Sequence, residues 1–254
     1  MWKPVSGRVA LAALILLTVL AGPLSAQMDR YEEETGVSAK ARDLLSKAQK
    51  LEKDGHLEEA FKTYQAAIRL EPTYAEAYQQ MALALASQNR YPEAVKAFKE
   101  VIRLRPQSSI AQGNLGAAYM KMGSFREAQD AFRAAVRLRP DDAENHYNLG
   151  VALGKLKRDR EAREEFAQAV KLQPDMARAH RSLGTADLNL NRLDEARKEL
   201  QEAVALDPKD AAAHYALCVV YARTGDVQAA NKEFKILQGL DKDLARQLSE
   251  QVRK

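Results

Sequence analysis

Read in steps of 34 residues, the chain repeats one pattern of small and large apolar positions. One column of that pattern holds Ala48, Ala82, Gly116, Gly150, Gly184 and Cys218, small in every case. A second holds Ala60, Ala94, Ala128, Ala162, Ala196 and Ala230, and four residues on stand Tyr64, Phe98, Phe132, Phe166, Leu200 and Phe234. Four residues is one helical turn, so the alanine and the large residue share a helix face, while the small column lets another helix approach closely. Each period therefore predicts two packed helices. Prolines 72, 106, 140, 174 and 208 recur at the same interval and follow Leu70-Glu71, Leu104-Arg105, Leu138-Arg139, Leu172-Gln173 and Leu206-Asp207. Proline cannot continue a helix, and it disfavours helical backbone at the residue before it. Between the two helices of each period lie Asp54-Gly55, Asn89, Gly123, Lys157, Asn191 and Gly225, mostly residues that tolerate a left-handed backbone. The fourth period departs twice, with Lys157 in the turn and Asp159 where others carry Leu57, Tyr91, Phe125 or Leu193, which predicts a looser turn there.

Aligned on the prolines, six units follow one another at 41–74, 75–108, 109–142, 143–176, 177–210 and 211–244. Beyond Asp243, Leu244, Leu248 and Val252 recur at helical spacing, whereas Arg246, Glu250, Arg253 and Lys254 take the polar positions. A helix of this kind, continuing through 245–254, covers an end that would otherwise be exposed. The pattern resembles the tetratricopeptide repeat, a 34-residue unit with a small residue at position 8, Ala at 20, an aromatic at 24 and Pro at 32. That resemblance implies an all-α fold: a right-handed α-solenoid of six helix pairs with a C-terminal capping helix. A single pair cannot bury its own apolar face, so stability comes from stacking neighbours.

Ahead of the repeats, residues 1–26 read as a secretory signal. Lys3 and Arg8 precede an uncharged run from Val9 to Ala21, Gly22-Pro23 breaks it, and Leu24-Ser25-Ala26 fits cleavage before Gln27. An uncleaved anchor is the alternative, but a spanning helix needs about 20 apolar residues and this run is shorter. No cysteine follows the run, so lipid attachment is excluded. Residues 27–40 form an acidic linker containing Glu32-Glu33-Glu34 and the start of a helix capped by Ser38. The expected location is periplasmic or secreted, with no stable membrane insertion after cleavage.

Charge narrows the partners. The chain carries 39 basic and 35 acidic residues; without Lys3 and Arg8 the balance is 37 to 35, too even for a phosphate-binding surface, so no nucleic acid is expected. Cys218 is the sole cysteine, which rules out an intramolecular disulfide and a thiolate zinc site. Its place in the small column reads as packing. No Gly-x-Ser-x-Gly, His-Glu-x-x-His or calcium-loop motif occurs, and the segment from Gly150 to Lys155 is too short for a phosphate loop, so no enzyme activity and no cofactor are expected. His146, His180 and His214 share position 4 of successive units. Helices pack roughly 10 Å apart, too far for side chains one unit apart to meet readily at one metal ion, so these histidines are read as packing residues.

In the family that the pattern resembles, positions 2, 5, 6, 9, 12 and 13 of each unit point into a concave groove. Here they supply Asn114, Lys121, Tyr147, Asn148, Lys155, Arg178, Arg181, Asn189, Tyr215 and Arg223. Asn can hydrogen-bond a peptide backbone, Tyr can stack, and Arg and Lys can pair with carboxylates. The groove is thus expected to take a protein or peptide, with a preference for acidic character. The carboxylate clamp of chaperone-binding relatives is incomplete: Asn148 and Arg178 fit it, but Gly113, Ala117 and Ser182 stand at its other positions. The function implied is an exported scaffold or adaptor. Alternatives are a periplasmic assembly factor for an envelope machine such as a type IV pilus, or a non-catalytic subunit of a transferase complex. Self-association through the solenoid ends is a further partner alternative.

Overall fold

The computed structural model describes residues 37–252, of which the last two are described in backbone only. The expected signal sequence, most of the acidic linker, and Arg253 and Lys254 lie outside the described residues. The described residues contain thirteen helices: α1 (Ala39–Lys53), α2 (Leu57–Leu70), α3 (Ala75–Ser87), α4 (Tyr91–Leu104), α5 (Ser109–Lys121), α6 (Phe125–Leu138), α7 (Ala143–Lys155), α8 (Asp159–Leu172), α9 (Ala177–Asn189), α10 (Leu193–Leu206), α11 (Ala211–Thr224), α12 (Val227–Leu240) and α13 (Lys242–Val252). They divide into two compact units, the first ending at Ala84 within α3 and the second beginning at Leu85.

In the first unit, α1 opens with Ser38 accepting a hydrogen bond from the Ala41 amide at 3.4 Å. Ala41, Leu45 and Ala48 of α1 pack with Ala60, Tyr64 and Ala67 of α2 and with Ala77 and Ala84 of α3. Tyr64 is fully buried and donates its hydroxyl to Glu52 Oε2 at 2.7 Å. Burial, then that carboxylate, raises the hydroxyl well above its ordinary range.

In the second unit each helix packs on the next in the chain, giving the pairs α5–α6, α7–α8, α9–α10 and α11–α12, with α13 against α11 and α12. The first helices of successive pairs, α5, α7, α9 and α11, also touch one another. The small column explains how closely the pairs close. A Cβ placed on Gly116 would meet the Phe132 ring at 2.7 Å, and one on Gly150 would meet the Phe166 ring at 2.7 Å. Phe132 and Phe166 are buried, as are Tyr64 and Phe98, whose repeats carry alanine in the small column, whereas Phe234, whose repeat carries Cys218, is half-buried. At the end of the unit, Ala245 and Leu248 of α13 pack with Cys218 and Leu237, with Leu244 at their edge. Arg246 and Glu250 face solvent.

All six turns carry the left-handed residue expected of them: Gly55, Asn89, Gly123, Lys157, Asn191 and Gly225 have φ between 59° and 84°. The looser fourth turn does not materialise. The Lys157 amide reaches Gly154 O at 3.0 Å and the Arg158 amide reaches Leu153 O at 3.0 Å, as Gly123 and Ser124 do one repeat earlier at 3.1 and 3.0 Å. Lysine is forced into the left-handed region by the closing hydrogen bonds, at a steric cost of roughly 1–2 kcal/mol.

Candidate functional site

The three histidines occupy equivalent bridges. Nδ1 of His146, His180 and His214 lies 2.7, 2.8 and 2.6 Å from a carboxylate oxygen of Glu165, Glu199 and Glu233 on the second helix of the same repeat. Nε2 lies 3.0, 2.9 and 3.1 Å from the carbonyl oxygen of Pro140, Pro174 and Pro208 in the preceding loop. Each ring ties two helices and a loop together, and both nitrogens are committed within the protein. A sequence signal for this exists: position 23 reads Thr63, Ala97, Ala131, Glu165, Glu199, Glu233, so glutamate stands there only in the repeats with histidine at position 4.

Cys218 is buried, with Sγ 3.7 Å from Ala230 O. Burial first, and the Glu233 carboxylate second, push its thiol up to about 12, so it stays protonated at neutral pH.

A charged network crosses the junction of α8, α9 and α10. Asp187, fully buried, accepts from Arg163 Nε at 2.5 Å and faces Arg192 Nε at 3.2 Å. One repeat earlier the equivalent of Arg192 is Arg158, whose Nη1 donates to Gln129 Oε1 at 2.6 Å. Gln129 and Arg163 hold the same position, so the repeat geometry brings two guanidiniums together where it previously joined a guanidinium to an amide. Asp187, replacing the apolar Leu153 of the repeat before, supplies the counter-charge.

The residues expected to bind a partner fall in three places in the second unit. On α7 and α9, Arg178 pairs with Glu144 and lies 4.9 Å over the Tyr147 ring, while Asn148 Nδ2 approaches Glu144 Oε1 at 3.4 Å. Tyr147 continues inward to Phe166, ring centroids 5.8 Å apart. Arg178, Tyr147 and Asn148 are therefore one cluster, held by Glu144.

A second group surrounds an open cavity of about 440 Å³ formed by α7, α8 and α9, to which Lys155, Arg181 and Asn189 all contribute. Arg181 Nη1 donates to both oxygens of Asp210 at 3.0 and 2.8 Å, and Asp210 in turn caps α11 by accepting from Ala212 and Ala213 amides at 3.1 Å. Asn189 Nδ2 donates to Asp159 Oδ1 at 3.3 Å. Lys155 is exposed and makes no ion pair among the described residues.

The remaining residues lie apart from these two groups. Arg223 borders a larger, mostly apolar cavity of about 660 Å³ beside Cys218 and Phe234, and its Nη1 donates to Leu188 O at 3.4 Å. Tyr215 is half-buried against the α13 contact. Asn114 is half-buried on α5 and Lys121 is exposed at its end. Glu144 and Asp210 belong to the site electrostatically but were not singled out in the sequence, and Asp159 was noted there only as a departure at the turn. Glu144 and Arg178 share position 2 of consecutive repeats, so opposite charges in one column were the available signal.

A tetratricopeptide-repeat profile matches residues 114–177, and a second profile for the same repeat matches 50–88, 82–123 and 186–225. The chain belongs to the tetratricopeptide-repeat family. Solved structures of the family superpose on it. MamA residues 41 to the end from Desulfovibrio magneticus RS-1 is 27% identical, with TM-score 0.63, covering 68% of this chain and 98% of that one. YrrB, described as a tetratricopeptide-repeat protein with an unusual peptide-binding site, is 25% identical, with TM-score 0.64 and coverage of 74% and 97%. PilF of Pseudomonas aeruginosa, at 17% identity and TM-score 0.69 with coverage of 84% and 98%, shares the fold alone. No curated protein matches the chain in sequence. Among the described residues, no helix of this tetratricopeptide-repeat chain is long and apolar enough to cross a membrane.

Proposed function

We propose that this chain is an exported, non-catalytic scaffold. It binds a segment of a partner protein along the face made by the first helices α5, α7, α9 and α11 of its second unit, with six repeats spanning 41–244 and a leader at 1–26. The observation that carries the reading is the clustering of Tyr147, Asn148, Arg178, Lys155, Arg181 and Asn189 on α7 and α9, side chains suited to stacking, amide recognition and carboxylate pairing. The likeness to YrrB supports a peptide as the occupant. Asn114 and Lys121 extend the face along α5, and Tyr215 and Arg223 extend it along α11.

Recognition makes and breaks no covalent bond. Arg178 and Arg181 are held by Glu144 and Asp210, so they present oriented donors at low entropic cost, while the exposed ammonium groups of Lys121 and Lys155 draw in acidic segments.

The test is affinity capture from envelope extract with the full-length chain, compared with a Lys121→Glu, Lys155→Glu variant. Both residues are exposed and unpaired among the described residues, so the variant should fold normally. Loss of a partner from the variant supports the face; equal retention by both places binding elsewhere.

A further inference from the structure

Every repeat needs a left-handed residue between its helices, and five repeats meet that need with glycine or asparagine. The fourth uses Lys157, at φ 61°. A side chain with a Cβ is strained in this region, and glycine or asparagine is the low-cost choice there. Strain of this kind concentrates at functional sites. Lys157 lines the open cavity formed by α7, α8 and α9, as does Lys155. Both ammonium groups are exposed, and neither forms an ion pair or side-chain hydrogen bond among the described residues.

The rest of the lining completes the electrostatics. Arg181 stands on the opposite wall with its charge met by Asp210, and Asp159 is the cavity's one carboxylate, engaged by Asn189. The lining therefore holds three cations against one anion, and the two lysines form no ion pair among the described residues. Thr185 is not a donor here, because its hydroxyl already gives its proton to Arg181 O at 2.8 Å. Gly154 keeps the floor low: a Cβ there would meet nothing within 4 Å, so no packing contact demands glycine in the helix. At about 440 Å³ the space suits a side chain and its flanking backbone rather than a whole folded surface.

We infer that this cavity is an anion subsite of the binding face, in which Lys155 and Lys157 receive the carboxylate of an Asp or Glu side chain from the bound segment. The inference rests on the binding reading above and specifies where and by which groups acidic character is recognised. Lys157 is the specific element: the fold would be better served by glycine, so its lysine serves the ligand.

The experiment uses the full-length chain and two fluorescently labelled synthetic peptides, one of alternating glutamate and glycine and one with glutamine in place of each glutamate. Parent, Lys157→Gly and Lys155→Gln/Lys157→Gly proteins are titrated with both peptides, and their melting is followed by circular dichroism. The expected result is a glutamate preference in the parent that Lys157→Gly cuts about threefold, as for an exposed ion pair, and that the double variant abolishes. Lys157→Gly should at the same time melt about 2–4 °C higher, because it relieves the left-handed strain. Equal binding of both peptides by the parent overturns the subsite while leaving the broader binding face standing. A preference undiminished in the variants likewise overturns it, as does a Lys157→Gly protein that melts lower than the parent. If neither peptide binds and the envelope capture also retains nothing, the subsite and the binding face fall together.

Discussion

Leu153 in the fourth repeat and Asp187 in the fifth stand at the same register, and both are essentially sealed from water. Leu153 joins the apolar cluster of Leu149, Phe166 and Leu183, whereas Asp187 is held by Arg163 and Arg192. The backbones around them match: the amide of Arg158, immediately before the next helix, reaches Leu153 O at 3.0 Å in one repeat, and the corresponding Arg192 amide reaches Asp187 O at 2.8 Å in the other. A repeat can therefore exchange an apolar contact for an ion network without altering its path. Some positions are fixed by the closeness of the backbone, and others only by what their neighbours carry.

The most disruptive way to break this comparison is Asp187→Ala, which leaves Arg163 and Arg192 facing each other over a small void. Chemical denaturation should show a loss on the order of 3 kcal/mol, the low end for a broken buried pair, because both guanidiniums retain access to water. Asp187→Leu combined with Arg163→Gln, which installs together the residues found one repeat earlier, Leu153 and Gln129, should lie within about 1 kcal/mol of the parent, since apolar packing can replace a buried ion network without net loss once the excess cation is removed as well. A loss from that double variant as large as that from Asp187→Ala would show that the ion network itself is indispensable.

Positions fixed by close approach behave differently. Gly150→Ala forces a methyl group to 2.7 Å from the Phe166 ring and should cost about 1–3 kcal/mol, whereas Gly154→Ala, four residues on, meets nothing and should gain up to about 1 kcal/mol of helix propensity. Thermal melts of the two single variants check the sign of each. A smaller effect separates repeats with and without the histidine bridge. His180→Leu should cost about 1–2 kcal/mol by stranding the half-buried Glu199 and the Pro174 carbonyl, and adding Glu199→Ala should recover part of that loss. A double variant less stable than the sum of the two singles would contradict the pairing.

Much of this was legible in advance for reasons the packing makes plain. The small column is small because Phe132 and Phe166 press on it, and the turn residues are glycine or asparagine because φ is positive. Lys157 misled as a sign of looseness because two backbone hydrogen bonds outweigh a side-chain preference. Of the residues proposed to bind, Tyr147, Asn148 and Arg178 were assigned to one face by column, and the structure brings these three side chains together. The charge opposition of Glu144 and Arg178 stood in one column, but that they and Arg181–Asp210 actually pair was not legible, since contacts between residues 29 and 34 apart depend on how one repeat lies on the next. The histidine bridges needed two columns to be read together.

The central claim, that partner binding belongs to the first-helix face, is tested most directly by site-specific photo-crosslinking in envelope extract. A photoreactive residue replaces Ala117, exposed on α5, in one protein and Gln168, exposed on α8, in another. The account predicts a crosslinked partner from Ala117 and none from Gln168; a crosslink from Gln168 with none from Ala117 would contradict it.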